Sequence, residues 1–262
     1  MPRQGYPSDV SDAEWAIIEP LLPPAKSANG RGRKRTVDLR AVYNAIRYVG
    51  RTGCAWELLP NDFPPPKTVY GYWRKWTKRG VLLNIHDELR QRVRKKVGRQ
   101  ATATGGLIDS QSVKTTDIGG GDRGYDGGKK VNGRKRHIIV DTLGLVIAVT
   151  VHGANLADST SAQDLLGTAH QQEPTLEHIW ADQGYRGQPL QDVAHRYDLE
   201  LEVVKRTEPG FAVLPKRWVV ERTFAWLGRH RRLSKDYERL PQVSEGWVHQ
   251  VMTSLMLKRL VS

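Results

Sequence analysis

The sequence predicts an α/β fold class with an all-helical front part, and three observations carry that expectation. Up to about residue 98, apolar residues recur at helical spacing between Pro and Gly breakers; from Leu107 onward, strand-length apolar runs alternate with helical ones. Basic residues also crowd the front. Residues 1–100 hold 20 Lys and Arg against 9 Asp and Glu, net +11, leaving 21 against 19, net +2, for the rest.

Ser11 and Glu14 have the spacing of a capping box, so a helix starts there and stops at Pro23-Pro24, with Pro20 able to end or kink it earlier. After the basic stretch Gly30–Arg35, Leu39, Val42, Ile46 and Val49 mark a second helix, with Gly50 and Gly53 as stops. A brief segment at Ala55–Leu59 leads to Pro64-Pro65-Pro66. Beyond it Val69, Tyr72, Trp73 and Trp76 line one face of a helix, and Lys67, Arg74, Lys75 and Lys78 fall on its other positions. Another helix spans about 81–97. This succession fits a helix-turn-helix unit for a major groove, or else plain amphipathic helices with solvated lysines. The boundaries expected are a helical domain at 1–98, a linker at 99–106 and an α/β domain at 107–262.

In the second part, Leu107-Ile108-Asp109 reads as a short strand, and Arg136–Thr142 with Leu145–His152 as a hairpin turning at Leu143-Gly144. A helix near 159–170, a strand at 178–182, a helix near 189–197 and a strand at 199–204 follow. A long helix is expected from about Pro215 to Leu233, and a closing helix carries Val248, Val251, Met252, Leu255 and Met256.

Composition narrows the function. The chain has 262 residues, 39% hydrophobic, enough for a real core, and a net charge of +13 that attracts polyanions. Nucleic acid is the leading partner class, with a merely cationic protein as the bland alternative. The single cysteine, Cys54, excludes an internal disulfide framework and a cysteine-based zinc site. No apolar run reaches the roughly 18 residues of a membrane span, so a reducing, cytoplasmic setting is expected, associated with the nucleoid when on DNA.

Cutting a phosphodiester requires neutralising charge on the phosphate while a nucleophile is activated, which two metals about 3.5–4 Å apart achieve. Magnesium takes oxygen ligands and keeps water, so a few carboxylates from separate elements suffice. Asp109 at the end of one strand and Asp182 at the end of another suit an open sheet, where ligand sites gather at strand ends. Glu221, inside a helix, is a third candidate. Each has a bland reading: turn caps at Asp109-Ser110 and Asp182-Gln183-Gly184, and a surface pair of Glu221 with Arg217. Asp117, Asp122, Asp126, Asp141 and Asp158 compete on composition.

The residues Ser11–Trp15, Leu21–Pro24, Gly53–Trp56 and Tyr70–Trp76, then Ile108–Ser112, Gly128–Lys130, Gly133–His137, Ala181–Tyr185 and Arg217–Leu227 together resemble the DDE transposases of bacterial insertion sequences, of the insertion-sequence-five type. The resemblance spans nearly the whole chain. It implies an RNase H-like catalytic domain, a mixed sheet flanked by helices, behind an all-α helix-turn-helix-type DNA-binding domain. It also implies Asp109, Asp182 and Glu221 as catalytic and metal-binding residues, holding two Mg2+ ions for which Mn2+ substitutes. The partners implied are double-stranded DNA, both terminal inverted repeats and target, and further copies of the chain in a homodimer or higher homo-oligomer. The motif departs at two places, where a tyrosine and a lysine are replaced by Leu214 and Gly228.

Phosphate contacts are expected from Arg33, Lys34 and Arg35 in the basic stretch and from the four cations of the aromatic helix. Lys129, Lys130, Arg134, Lys135 and Arg136, between the first two acids, are expected to track phosphates or else form a solvated loop. Around and beyond Glu221, Arg217, Arg222, Arg229, Arg232 and Lys235 complete the set, and His137 is read as opening its strand. A nuclease or resolvase that cuts without joining, and a DNA-binding regulator without catalysis, remain as alternatives.

Overall fold

The computed structural model describes residues 4–25, 35–117, 120–204 and 218–262. Helix α1 (Asp12–Ile18) begins with the reciprocal Ser11–Glu14 capping box, and Pro20 converts its continuation into a 3-10 turn at Glu19–Leu21. Helix α2 (Leu39–Thr52) is capped by Asp38 and ends at Gly53, whose φ of 71° is left-handed. A side chain there would also meet the Arg231 backbone at 3.1 Å, so space and backbone both demand glycine. After a 3-10 turn at Trp56–Leu58, α3 (Pro66–Lys78) opens on its proline, and the Arg79-Gly80 turn leads directly into α4 (Val81–Lys96).

The strands form one mixed sheet. β1 (Gly105–Lys114) pairs antiparallel with β3 (Val131–Asp141), and β3 pairs antiparallel with β4 (Val146–Gly153) across a turn at Gly144, φ 79°. On its other side β1 runs parallel to β5 (His178–Ala181), which runs parallel to β6 (Glu200–Val203). Helices α5 (Asp158–Gln172) and α6 (Gln188–Arg196) make these parallel connections. The order β4-β3-β1-β5-β6 with flanking helices is the RNase H-like arrangement expected. A short strand absent from the reading of the sequence, β2 (Gly124–Asp126), shares the β4 edge of β3 by pairing with Val131–Gly133.

Alternation along the strands divides the core. Ile108, Ile139, Ile179 and Ala181 face α5 and α6, whereas Leu107, Ile138 and Val140 face α7 (Trp218–Gly228) and α8 (Pro241–Val261). The second cluster continues without a break through α8 into α1–α4, where the Trp73 and Trp247 rings stack at 3.9 Å. The helical part and the sheet therefore share one apolar core.

Buried ion pairs fix their alignment. Arg94 of α4 donates to Asp141 at 2.6 Å and to the carbonyls of Gln100 and Thr102, while Asp141 also accepts the Leu143 and Leu145 amides. One turn earlier Arg90, fully buried, pairs with Glu173 at the end of α5.

Two expectations are corrected. The helix expected to reach Leu233 stops at Gly228, and Arg231–Leu233 forms a separate 3-10 turn packed on α2. His137 does not open a strand: β3 begins at Val131, and Gly133, so close to Val113 and Lys114 that a side chain would collide, lets β1 and β3 pair four residues beyond His137.

Replacing Arg94 by Met should leave Asp141 buried without its countercharge and cost about 3–5 kcal/mol of unfolding free energy. Urea denaturation of both proteins checks it. A change within about 0.5 kcal/mol would mean the pair does not hold the helical part to the sheet.

Candidate active site

Two of the three candidate carboxylates meet because of sheet register. Leu107 of β1 is paired with Trp180 of β5, and two residues further along each chain stand Asp109 and Asp182. Neighbouring strands lie about 4.8 Å apart, so this register sends both residues to the same end of the β1–β5 pair, on the sides of their strands that carry Leu107 and Trp180. Asp109 is not at the end of its strand, as expected. It lies mid-β1, where pairing with β3 continues to Lys114 but pairing with β5 has stopped.

The turn-cap reading holds for Asp182 but not for Asp109, which stands inside β1. Asp109 Oδ1 accepts the Ser110 amide at 2.7 Å, and Asp182 Oδ1 accepts the Gly184 amide at 2.8 Å, capping the 3-10 turn Gln183–Tyr185. A turn cap and a metal ligand use different oxygens, so one role leaves room for the other. Glu221 is exposed in the first turn of α7, whose Val219, Val220, Phe224 and Leu227 pack on the sheet face of Leu107 and Ile138. Among the described residues, no three His, Cys, Asp or Glu side chains stand close enough to hold one metal. The Asp109–Asp182 pair alone supplies oxygen donors in the number magnesium requires of a protein, one or two carboxylates.

Behind this pair lies a polar network that the sequence reading missed. Tyr185, 1% exposed, shares a hydrogen bond with His137 Nδ1 at 3.0 Å, and His137 stacks on His152 at 4.9 Å. Lys135 donates to Asp158 at 2.8 Å and lies 3.7 Å from Asp126. Burial holds the Tyr185 phenol well above its ordinary value of 10, and the carboxylates of Asp109, Asp158 and Asp182 push it the same way. The His137 ring is pushed down to about 3, first by burial and then by His152, with Asp158 opposing. The available signal was His137 and Tyr185 each within three residues of a motif charge, but sequence spacing does not reveal a cross-strand contact.

Among the competing acids, Asp126 caps a turn at the Gly128 and Lys129 amides and accepts from Ser112, and Asp141 is the partner of Arg94. Asp158 is nearest to the pair, since its Oδ2 and Asp182 Oδ1 both border Gly184.

The basic residues separate into two groups. Lys67, Arg74, Lys75, Lys78, Lys129, Lys130, Arg229 and Lys235 are exposed, with Lys129 also donating to the Ser110 carbonyl. Arg35 is held by the Pro23 carbonyl, and Arg222 lies over the Trp218 and Trp226 rings. Arg134, Lys135, Arg136 and Arg232 were expected to reach phosphates and do not. Arg134 binds Asp236 and the Glu238 and Arg239 carbonyls; Arg136 binds the Leu233 and Lys235 carbonyls; Lys135 binds Asp158 and the Leu156 carbonyl; Arg232 binds Glu238. All four are under 9% exposed: β3 is covered on both faces and its three long cations tie down the 233–239 segment and the start of α5, while Arg232, in the turn after α7, is held by Glu238. Arg33, Lys34, Leu214 and Arg217 lie outside the described residues.

A parallel-and-antiparallel sheet with two acids side by side at the β1–β5 junction, and a third on a helix over the same face, defines an RNase H-like protein with a candidate metal-dependent site. Residues 100–256 match the family model described as "Transposase DDE domain", and residues 10–86 match "Putative transposase of IS4/5 family". The chain belongs to the DDE transposase family of bacterial insertion sequences, of the IS4/5 type. DDE transposase domains work with divalent metal ions. Two Burkholderia cepacia proteins are similar: the "Putative transposase for insertion sequence element IS402", 34% identical over 41% of this chain and 54% of its own length, and the "Insertion element IS402 uncharacterized 16.2 kDa protein", 30% identical over 42% and 76%. This chain thus spans about half of the first relative. A solved structure, "Crystal structure of a pre-cleavage Mos1 transpososome", aligns over 88% of this chain and 78% of its own with 8% identity and a TM-score of 0.32, too distant for residue-level comparison.

The depressed histidines predict acid sensitivity. The unfolded chain binds these protons near pH 6.5, whereas folded His137 resists until about 3 and His230 until about 4. Stability contributed by keeping them neutral is present above pH 6.5 and is lost as pH falls toward 3–4. Urea midpoints at pH 7 and 4.5 should differ, and His137→Phe should narrow the difference; an equal difference in the variant would contradict the assignment.

Proposed function

We propose that this protein is a transposase that binds the terminal inverted repeats of an insertion sequence, cuts at the element ends and joins the freed 3′ ends to target DNA. The observation that carries this reading is the adjacency of Asp109 and Asp182 at the β1–β5 junction within a DDE transposase domain. In it, Asp109 and Asp182 hold a pair of Mg2+ ions with Glu221 as the third acid, and Mn2+ substitutes. Bound metal supplies charge neutralisation at the scissile phosphate and a water of lowered pKa.

The chain's own residues do the rest. Asp109 is rigid because its strand stays paired with β3 on both sides of it, and Asp182 is fixed by its turn and by the Tyr185 amide on its carbonyl, so the acids are aimed before substrate arrives. Glu221 sits on a helix anchored by Val220 and Phe224, able to close on the pair from the solvent side. Residues 1–98 form the DNA-reading domain, joined through 99–106 to the catalytic domain at 107–262, and exposed Lys67, Arg74, Lys75 and Lys78 on α3 meet phosphates there. Lys129, Lys130, Arg229 and Lys235 supply phosphate contacts nearer the acids. Two copies or more act together, one for each element end, in the cytoplasm. No helix of the described residues is long and apolar enough to cross a membrane.

Purified protein is incubated with labelled inverted-repeat DNA and a target plasmid, with Mg2+ or chelator. Wild type should give joined products only with metal. Asp109→Asn and Glu221→Gln should keep DNA affinity within about twofold and lose cutting by at least a factor of about 100, the scale of a lost charge-stabilising group. Cutting by Glu221→Gln at the wild-type rate would remove Glu221 from the site. Cleavage without joining would make the protein a nuclease, and binding without any cleavage would sink the reading.

A further inference from the structure

A cavity of about 400 Å3 opens where α2, α7 and α8 meet the N-terminal loop, bordered by Arg47, Arg51, Arg229, Lys258, His230 and Trp226 and, among the described residues, by no carboxylate. Four cations converge on it, two from α2, one from α8 and Arg229 just past α7, although like charges brought together repel. Arg229 and Lys258 are exposed, and their charged ends make no hydrogen bond or ion pair with any described residue. Arg51 uses one nitrogen on the Arg229 carbonyl, at 2.7 Å, which holds its guanidinium at the rim. Arg47 is buried deeper, its Nε on the Ser8 carbonyl at 2.8 Å and its Nη1 3.5 Å from Glu14.

His230 registers the same field. Burial and then Arg51, Arg47 and Lys258 push its ring down to about 4, and its buried Nδ1 has no hydrogen-bond partner. Such an accumulation of uncompensated positive charge in a concave, half-enclosed site is what an anion of phosphate size relieves. The cavity also lies at the C-terminal end of the helix that carries Glu221. Arg229 follows Glu221 by eight residues along and just past α7, roughly 12 Å at about 1.5 Å per residue, which is about three nucleotide steps of one strand.

We propose that this pocket is a phosphate-binding site that grips one backbone phosphodiester of the DNA strand engaged at Glu221. The inference rests on the transposase reading for the identity of the strand. It assigns phosphate recognition to Arg47, Arg51 and Lys258, which belong to neither the acid motifs nor the basic runs of the sequence, and it makes α2 and α8 joint owners of one contact.

The test measures binding of the full chain to fluorescein-labelled duplex by anisotropy between 50 and 200 mM KCl, for wild type, Lys258→Gln, Arg51→Ala and Arg51→Lys. Lys258→Gln alters an exposed side chain with no described partner, so the fold is kept, and thermal melting checks this. Losing one phosphate contact should reduce the steepness of log affinity against log salt by about 1 and weaken binding equally for repeat and unrelated DNA. Arg51→Lys should restore most of what Arg51→Ala loses. A folded Lys258→Gln with wild-type affinity and salt slope overturns the pocket, as does inorganic phosphate that protects wild type from melting through Lys258 while the DNA slope stays unchanged, since the site would then take free phosphate. Metal-dependent cleavage by wild type is followed in parallel: its absence removes the transposase reading, whereas an unchanged slope with intact cleavage removes only the pocket.

Discussion

Two arginines one turn apart on α4 cross from the helical part into the sheet, and the placement of everything else depends on the carboxylates they meet. Arg94 enters the β3–β4 turn at Asp141, and Arg90 reaches Glu173 beyond α5. Burying such charges is expensive, by several kcal/mol for each ion after relaxation, and is tolerated only where geometry and extra hydrogen bonds satisfy both partners. Asp141 accepts two amides besides Arg94, and Arg94 donates to two carbonyls besides Asp141. A shift of α4 would leave both charges unsolvated, so the helical part has a single seating on the sheet, and α8 completes it by packing along α4. Lys96 adds a polar link by donating to the last carbonyls of α8.

That seating has a consequence for charge. The most basic helices are brought to the sheet through buried pairs that consume part of their charge, while α3 keeps Lys67, Arg74, Lys75 and Lys78 in solvent. In the catalytic half the reverse occurs. β3 carries Arg134, Lys135 and Arg136 in succession, yet alternation sends the arginines to one face and the lysine to the other, and each is spent inside the molecule. The arginines hold the segment between α7 and α8, and so help set the helix that carries Glu221; the lysine holds the start of α5 beside Asp182. Cations that look ready for phosphate thus act as supports for the acids.

Much of the architecture was legible because its signals are local. The Ser11–Glu14 box, the Gly53 stop, the proline start of α3 and the Gly144 turn are each decided within a few residues, by a side chain reaching its own backbone or by a φ that glycine alone adopts cheaply. Asp109 and Asp182 were legible as candidates for a similar reason: each follows a short apolar run and precedes polar residues. The end of α7 was not, since no proline stands between Gly228 and Leu233 and it is the packing of Arg231–Leu233 against α2 and Gly53 that redirects the chain. Nor were Tyr185 and His137, 48 residues apart and joined by one hydrogen bond.

The sequence by itself determined a basic helical front, an α/β rear, the membership of the DDE transposase family and the acids worth testing, because composition, period and motif are properties of neighbours along the chain. Only the tertiary structure decided which charges are free. Whether an arginine meets solvent or a carboxylate depends on what the sheet and helices bring against it from far along the chain, as Arg134 meets Asp236 and Arg94 meets Asp141, and on where no carboxylate of the described residues arrives, as between Arg51 and Lys258.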